Sequence, residues 1–234
     1  MQFENRTVVV TGAAGNLGRA VAAAFAARGA NLVLLDRSEE PLRKVYAGDE
    51  GRRLLAAVDL LDAAQVEAAV AQAIERFGRI DVLANIAGGF RMGEAVHETT
   101  DSTWNFLLDI NVRTLLNAVR ATVPRMLAAG GGKIVNVGAA SALKGAAQMG
   151  AYVAAKSAVI RLTETMALEL RESNVNVNCV LPTIIDTPEN RAAMPDADPK
   201  RWVAPEALAD VIVFLASDAA RAMHGAAVPV AGLS

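Results

Sequence analysis

A glycine-rich segment near the amino terminus constrains the fold of this chain more than any other feature. Residues 11–18 read Thr-Gly-Ala-Ala-Gly-Asn-Leu-Gly and lie between a β-rich run at 7–10 and a helical pattern at 17–28. A strand, a glycine turn and a helix in that order form an anion site, because the first N–H groups of the helix are unpaired. Gly12 permits the sharp turn, and Gly18 lets the helix pack close to the strand. The segment therefore predicts a dinucleotide-binding unit.

The alternation of apolar runs and amphipathic patterns continues to the end of the chain. The runs that predict strands are 7–10, 31–35, 54–58, 82–84, 133–137, 175–181 and 227–230. The patterns that predict helices are 17–28, 63–77, 103–127, 150–171 and 205–215, and 188–205 is predicted to be a substrate loop. Apolar strands that alternate with helices are typical of a parallel sheet covered on both faces. We therefore predict one α/β domain over 1–234, a doubly wound sheet of the Rossmann type.

The composition excludes several classes of protein. The 234 residues are 53% hydrophobic and 21% charged, which suits one large domain, and the net charge of −2 gives a nucleic-acid partner little support. Residues 1–6 lack the order of a signal peptide, and no apolar run approaches the ~20 residues that span a bilayer. The single Cys179, with His97 and His224, gives no metal-ligand spacing. We therefore expect a cytoplasmic protein with no metal, nucleic-acid or membrane partner.

An acidic residue follows the second predicted strand, at the position expected of a nucleotide contact. Asp36 lies 18 residues after Gly18, and its carboxylate can accept hydrogen bonds from ribose hydroxyls. The same charge would repel a 2′-phosphate, so the sequence favours NAD(H) over NADP(H). The neighbouring Arg37 can tolerate that phosphate, so NADP(H) stays open.

A tyrosine and a lysine stand one helical turn apart in the predicted helix at 150–171. Tyr152 and Lys156 project from nearly the same face, because four residues complete about one turn. A nearby ammonium favours phenolate, so we expect Lys156 to lower the tyrosine pKa from its usual ~10. Tyr152 would then act as a general acid or base in hydride transfer, and the lysine could hold the nicotinamide ribose. By itself the pair also fits an interfacial tyrosine beside a solvated lysine.

These segments together resemble the short-chain dehydrogenase/reductase family over nearly the whole chain. The resemblance implies that cofactor contacts lie at Gly12, Gly15, Asn16, Leu17, Gly18, Asp36 and Arg37, and that Asp59 and Leu60 contact the adenine. Asn85, Ala87 and Gly88 are similar to the segment that supports the cofactor after the fourth strand. Pro182 and Thr187 are similar to the segment that contacts the nicotinamide amide. Asn16, Ile86 and Thr183 depart from the family, at positions where it has glycine, asparagine and glycine.

The resemblance also implies a catalytic set and an assembly. Tyr152 and Lys156 match the family's catalytic pair, and Asn111 matches its helix asparagine, which bends the helix and holds a water that relays protons to Lys156. Members of the family form homodimers or homotetramers through long helices, here 103–127 and 150–171. The implied partners are therefore a small-molecule substrate and further copies of this chain.

The position 13 residues before Tyr152, where the family normally has serine, is Ala139, and Ser141 follows two residues later. The missing hydroxyl puts ordinary alcohol or ketone chemistry in doubt. The stretches at 138–152 and 181–202 resemble the dihydropteridine reductase branch, which also lacks the serine. That resemblance implies reduction of a conjugated C=N system, with Phe90 beside a planar ring. Phe90, Ala139 and Ser141 are the predicted substrate residues.

Two other interpretations of the site remain open from the sequence. One is a 3-oxoacyl or small-carbonyl reductase that uses Ser141, a water or Asn111 in place of the absent hydroxyl. The other is a binding protein that keeps the dinucleotide pocket and has lost turnover, which the alanine at 139 permits. The intact Tyr152 and Lys156 argue against the second.

Overall fold

Seven parallel strands form one sheet in the order β3-β2-β1-β4-β5-β6-β7 in a computed structural model that describes residues 2–48 and 51–234. The strands are β1 (Thr7–Thr11), β2 (Asn31–Asp36), β3 (Arg53–Ala57), β4 (Val82–Asn85), β5 (Gly132–Val137), β6 (Val175–Pro182) and β7 (Ala227–Val230). The order runs outward from β1 in one direction and from β4 in the other, so the chain reverses its winding between these two strands. The predicted doubly wound parallel sheet is confirmed.

In the described part of the chain, eight α-helices connect these strands. They are α1 (Asn16–Ala26), α2 (Glu39–Val45), α3 (Ala63–Phe77), α4 (Asp101–Leu108), α5 (Thr114–Ala128), α6 (Gly150–Leu170), α7 (Pro188–Ala193) and α8 (Pro205–Leu215). A π-helical segment, Asp109–Arg113, joins α4 to α5, so the helix predicted at 103–127 exists but is irregular at its centre. The helices predicted at 63–77 and 205–215 have the predicted bounds.

The two faces of the sheet carry separate hydrophobic cores, because successive residues of a strand point to opposite sides. On one face, Val8 and Val10 pack with Phe25 of α1 and Ile212 of α8, all fully buried. On the other face, Val9 belongs to a second core that includes residues of α3, α5 and α6. Helices therefore cover both faces, which is why the strands are apolar along their whole length.

Two connecting segments contain helices that the sequence did not indicate, and the loop predicted at 188–205 is wrong. The sequence did not indicate α2, which has a single fully buried residue, Leu42, and so lacks apolar periodicity. Residues 188–205, predicted to be a loop, contain α7 and a short 3-10 turn, Pro199–Arg201. Helix α7 is stabilised at its amino end, where the Thr187 side chain is the cap and Pro188 lies in the first turn. None of its residues is buried.

The carboxyl ends of all seven strands meet at one edge of the sheet, which we call the carboxyl edge. The reversal between β1 and β4 opens a crevice there, and ligands of doubly wound sheets bind in such crevices. The predicted site residues follow β1, β2, β3, β4, β5 and β6, so the topology places their backbones along this edge. Within the described ranges, no helix is long and apolar enough to cross a membrane.

Candidate active site

The turn after β1 requires glycine at two positions. Gly12 has a positive φ of 64°, and a Cβ there would lie 2.9 Å from the Cα of Ala87. A Cβ on Gly18 would overlap with the carbonyl oxygen of Gly12. The turn therefore packs against both the loop after β4 and the first turn of α1, and any side chain at these positions would separate them.

Helix α1 begins directly at this turn, with Gly15 at its N-cap. Since no side chain of the described residues caps it, the amino end of α1 is available to an anionic ligand. The Asn16 amide donates to the Glu189 carboxylate of α7 at 2.8 Å and accepts from Arg19 at 2.7 Å. The asparagine that departs from the family pattern thus links the turn to α7. Leu17 is buried beneath the turn.

Asp36, the last residue of β2, holds the turn in place from the side. One carboxylate oxygen accepts the Ala14 N–H at 2.9 Å and the other accepts the Arg37 N–H at 2.8 Å. Arg37 itself is exposed. A second support was not predicted: the buried Tyr46 donates its hydroxyl to the Ala13 carbonyl at 2.6 Å. The sequence carried no signal for it, because Tyr46 lies just past the unpredicted α2.

The segment after β3 turns sharply at the same edge. Asp59 accepts the Leu61 N–H at 3.0 Å, and its own N–H donates to the Gln65 side chain at 3.0 Å. The carbonyl of the buried Leu60 accepts from the Asn117 amide at 2.9 Å. Both predicted adenine contacts are therefore on a rigid turn.

Thr11 joins the loop after β4 to the glycine turn. Its hydroxyl accepts the N–H groups of Ile86 and Ala87 at 3.0 and 3.1 Å. Asn85 is 5% exposed, and its amide donates to Asn136 of β5 at 2.9 Å. The Oδ1 atom of the Asn85 side chain has no partner within the described residues. The Asn85 side chain thus points into the sheet and anchors the loop from below.

Asn111 lies in the π-helical segment and clamps the same loop. Its amide accepts the Gly89 N–H at 3.1 Å and donates to the Gly89 carbonyl at 3.0 Å, and it also donates to the Leu107 carbonyl at 3.0 Å. The side chain is 3% exposed. π-Segments within α-helices are frequent at functional sites. Here the irregularity turns a buried amide towards the loop.

Gly88 is the point where Asn111 and Lys156 converge. A Cβ on Gly88 would lie 3.0 Å from the side-chain Oδ1 of Asn111 and 3.2 Å from the Lys156 Nζ. The Lys156 ammonium donates to the Val137 carbonyl at 2.9 Å and is 5% exposed. Burial lowers the pKa of Lys156 to about 8. The structure thus brings three predicted residues together at one point.

Tyr152 differs from the expectation in its acidity. Burial raises the pKa of Tyr152 to about 12, where the sequence predicted a lowered value. The phenol makes no hydrogen bond to any described residue, and the Lys156 ammonium is held by Val137 instead. Desolvation of the phenolate therefore outweighs attraction by the ammonium. The predicted lowering is wrong for the protein without its ligands.

Phe90 packs directly on Tyr152. The two ring centroids lie 4.8 Å apart at an interplanar angle of 87°, an edge-to-face contact. Phe90 is nevertheless 53% exposed, so part of its ring is free for a ligand. Next to it, Arg91 stacks on Phe106 with its guanidinium 3.8 Å from the ring centroid and lines a small cavity of about 130 Å³.

Ala139 and Ser141 lie in the segment after β5. Ala139 is 5% exposed and precedes a 3-10 turn, Ala140–Leu143. Ser141 is half-buried, and among the described residues its hydroxyl has no hydrogen-bond partner. The turn is fixed from α6, where Ser157 donates to the Ala142 carbonyl at 3.0 Å. Serine is thus absent at the usual position, and the nearest hydroxyl in sequence is free.

The segment after β6 leads into α7. Pro182 ends β6 in register with Val230 of β7. Thr187 caps α7, with its hydroxyl accepting the Asn190 N–H at 3.2 Å. The Arg191 guanidinium donates hydrogen bonds of 2.6 and 2.7 Å to the Asp186 carboxylate, so α7 is also tied to the segment that precedes it. Across residues 2–48 and 51–234, no group of histidine, cysteine and acidic residues could hold a metal ion.

Comparisons with known proteins agree with this geometry. A family model described as short chain dehydrogenase matches residues 6–198. The chain is 36% identical to an NAD-dependent oxidoreductase of Mycobacterium tuberculosis, covering 97% of this chain and 95% of that protein. It is 35% identical to the D-threitol dehydrogenase of Mycolicibacterium smegmatis, covering 99% and 93%. Carveol dehydrogenase from Mycobacterium avium in complex with NAD has a TM-score of 0.90 and 28% identity, over 98% and 97%.

Proposed function

The chain belongs to the short-chain dehydrogenase family and is an NAD-dependent oxidoreductase, and from this premise we propose that Tyr152 donates the proton during hydride transfer to a small, planar, pterin-like substrate. The observation that carries the proposal is a buried Ala139 beside an intact set of Tyr152, Lys156 and Asn111. The proton donor is in place, but the usual hydroxyl for a carbonyl oxygen is not.

The residues at the carboxyl edge fit a dinucleotide. The cradle at Gly12 and Gly18 has no room for a Cβ, and the uncapped amino end of α1 suits a diphosphate. Asp36 would accept hydrogen bonds from the adenosine ribose, with Asp59 and Leu60 beside the adenine. The remaining cofactor contacts that we propose are Gly15, Asn16, Leu17, Arg37, Asn85, Ala87, Gly88, Pro182 and Thr187. When bound, the nicotinamide supplies or accepts the hydride.

The catalytic residues divide the proton chemistry between them. With its pKa near 12, the Tyr152 phenol keeps its proton at neutral pH and is a donor, as reduction of a substrate requires. The Lys156 ammonium, held by Val137, would hold the nicotinamide ribose and, with its pKa near 8, could return a proton to Tyr152. Asn111 keeps the loop at Gly88 and Gly89 closed around that ammonium.

The substrate side favours a conjugated ring. In a C=N system the developing negative charge is spread over nitrogen atoms, so a serine aimed at a carbonyl oxygen is less needed. The partly exposed Phe90 ring, already edge-on to Tyr152, offers a flat apolar wall for such a ring. These two features support a quinonoid dihydropterin as the substrate.

A second candidate is the reduction of a small carbonyl compound or the oxidation of its alcohol. The relative named D-threitol dehydrogenase covers nearly the whole chain and supports this class. The free hydroxyl of Ser141 could then polarise the substrate oxygen in place of the missing serine.

Turnover distinguishes the candidates. NADH oxidation would be followed with quinonoid dihydropterin and then with a panel of small ketones and 3-oxoacyl thioesters. We expect turnover on the pterin, and Ala139→Ser should not increase it. Turnover confined to carbonyls, lost in Ser141→Ala, would replace the pterin assignment with the second candidate. NADH binding without turnover on any substrate would mean that the chain is a binding protein.

We also propose that the chain forms homodimers or homotetramers. Trp104 on α4 and Leu168 on α6 are 43% and 64% exposed, although both side chains are large and apolar. They lie on the two long helical segments that the family resemblance implicates in assembly. Association through these helices would remove both side chains from water.

A further inference from the structure

A cleft at the edge of the sheet opposite the carboxyl edge carries an excess of positive charge. It lies where the amino ends of β1, β4, β5 and β6 meet and has a volume of about 470 Å³. We call it the amino-edge cleft, and the charged residues that line it are Arg6, Arg79, Asp81, Lys133, Asp218 and Arg221. The candidate active site is at the other edge, so hydride transfer gives these residues no role.

Lys133 is the central feature of the amino-edge cleft. It is the second residue of β5 and is 9% exposed, yet its ammonium has no carboxylate within ion-pairing distance in the described part of the chain. Asn176 of β6 accepts one of its three N–H groups. Burial lowers the pKa of Lys133, which shows that the charged form is poorly solvated here. A buried ammonium with donors to spare is costly unless something pairs with it.

The carboxylates of the amino-edge cleft are already engaged. Asp218 receives two hydrogen bonds from Arg6, at 2.6 and 3.2 Å, and Asp81 pairs with Arg79 at 2.7 Å. Lys133 and Arg221 also act electrostatically on Asp218, so three cations share one carboxylate. Four cations and two carboxylates line the cleft, a net charge of +2.

We propose that the amino-edge cleft binds a dianionic phosphate group, carried by a small phosphorylated molecule. Within the described residues neither Lys133 nor Arg221 forms an ion pair with a carboxylate of its own, and their two charges match that of a phosphate monoester. Ammonium and guanidinium groups both donate strong, charge-assisted hydrogen bonds to phosphate oxygens. The volume falls within the range of small-molecule sites, so it leaves room for the rest of the molecule.

The test measures phosphate binding to the full chain. Inorganic phosphate and phenyl phosphate would be titrated calorimetrically at constant ionic strength, with sodium chloride as the screening control. We expect both to bind to the wild type, phenyl phosphate at least as tightly as inorganic phosphate. Lys133→Met and Arg221→Gln should each weaken binding by about 10-fold or more, the cost of one charge-assisted contact. Arg120→Gln, an exposed arginine on α5, is the matched control and should not change it.

Three results would overturn the proposal. They are heat no larger than that of chloride, binding that Lys133→Met and Arg221→Gln leave unchanged, and malonate binding as tight as phosphate. If Lys133→Met does not fold, the comparison of Arg221→Gln with Arg120→Gln decides the question alone. None of these measurements uses hydride transfer, so the proposed function can fail without affecting this site.

Discussion

At the scale of single residues, the site depends on where protons and charges are held. Tyr152 is partly buried and keeps its proton, whereas Lys156 is buried and releases its proton more readily than lysine normally does. Both pKa shifts favour the neutral form of the side chain, because desolvation penalises the charged form. The pair is therefore a neutral phenol beside an ammonium group that gives up its proton more easily than an exposed lysine does.

Tyr152→Phe should lower kcat by about 100-fold or more, because it removes the proton donor, while the affinity for NADH stays the same. Steady-state rates and NADH fluorescence titration measure the two quantities. Tyr46→Phe is the matched control, because it also removes one buried tyrosine hydroxyl. That hydroxyl donates to the Ala13 carbonyl and supports the glycine turn. Near-normal kcat in Tyr152→Phe would remove this residue from the mechanism.

Asp36→Ala should narrow the preference for NADH over NADPH, since the charge that repels a 2′-phosphate is lost. The ratio of kcat/KM for the two cofactors measures the preference. Because Asp36 also accepts the Ala14 N–H, we expect NADH affinity to fall as well. A wild type that already prefers NADPH would contradict the role given to this carboxylate.

Lys156 should make stability depend on pH in the alkaline range. Burial lowers its pKa from 10.5 in the unfolded chain to about 8 in the folded chain, so between these values the unfolded chain binds more protons. The contribution of Lys156 to the free energy of unfolding therefore rises with pH across this window, by at most about 3 kcal/mol. Cys179, Tyr46 and Tyr152, whose pKa values burial raises, act in the opposite direction at alkaline pH. In urea unfolding from pH 7.5 to 10.5, the free energy of unfolding of the wild type minus that of Lys156→Met should show this rise, because the other groups titrate in both proteins.

The exposed Lys44 provides the control for that experiment, because Lys44→Met changes the same charge without a buried ammonium. Its stability should follow the wild type at every pH. Parallel curves for the wild type and Lys156→Met would show that burial does not perturb this ammonium.

At the scale of elements, the π-helical segment between α4 and α5 interrupts a long helix and carries Asn111. Its amide makes three hydrogen bonds, two to Gly89 and one to Leu107. The π-helical turn contains one residue more than a regular α-helical turn. In a regular helix the Asn111 side chain would therefore point in a different direction. The loop after β4 therefore depends on this segment for its position.

Asn111→Ala should destabilise the fold by about 2–3 kcal/mol, because it removes the partner of the half-buried Gly89 N–H and Gly89 carbonyl. Chemical denaturation measures the loss, and Asn105→Ala on the exposed side of α4 should change stability little. We expect kcat to fall even under conditions in which the variant is fully folded, since the same loop lies against Lys156. Equal stability of the two variants would mean that the clamp contributes nothing.

At the scale of the whole molecule, the parallel sheet separates two edges of different chemistry. The carboxyl edge carries glycine turns, the end of α1 and the Tyr152–Lys156 pair. The amino edge carries the cationic cleft around Lys133. The two cores between them hold both edges rigid, so each site is built on fixed strand ends.

Light scattering after gel filtration should give a mass of two or four times 24.4 kDa. Trp104→Glu and Leu168→Glu should each lower it, because a buried carboxylate would oppose association. Phe214→Glu, on the exposed side of α8, is the control and should leave the mass unchanged. A mass of one chain at micromolar concentration would contradict the proposed assembly.

Local patterns in the chain were enough to predict the fold class, the seven strands and a candidate site, since apolar runs and glycine turns are local properties. It could not determine the acidity of Tyr152, because burial by distant residues decides it. Nor could it indicate α2 and α7, whose ends and contacts, not periodicity, make them helical. The Asn111 clamp, the Tyr46 support and the amino-edge cleft join residues far apart in the chain. Only packing in three dimensions brings them within hydrogen-bond distance.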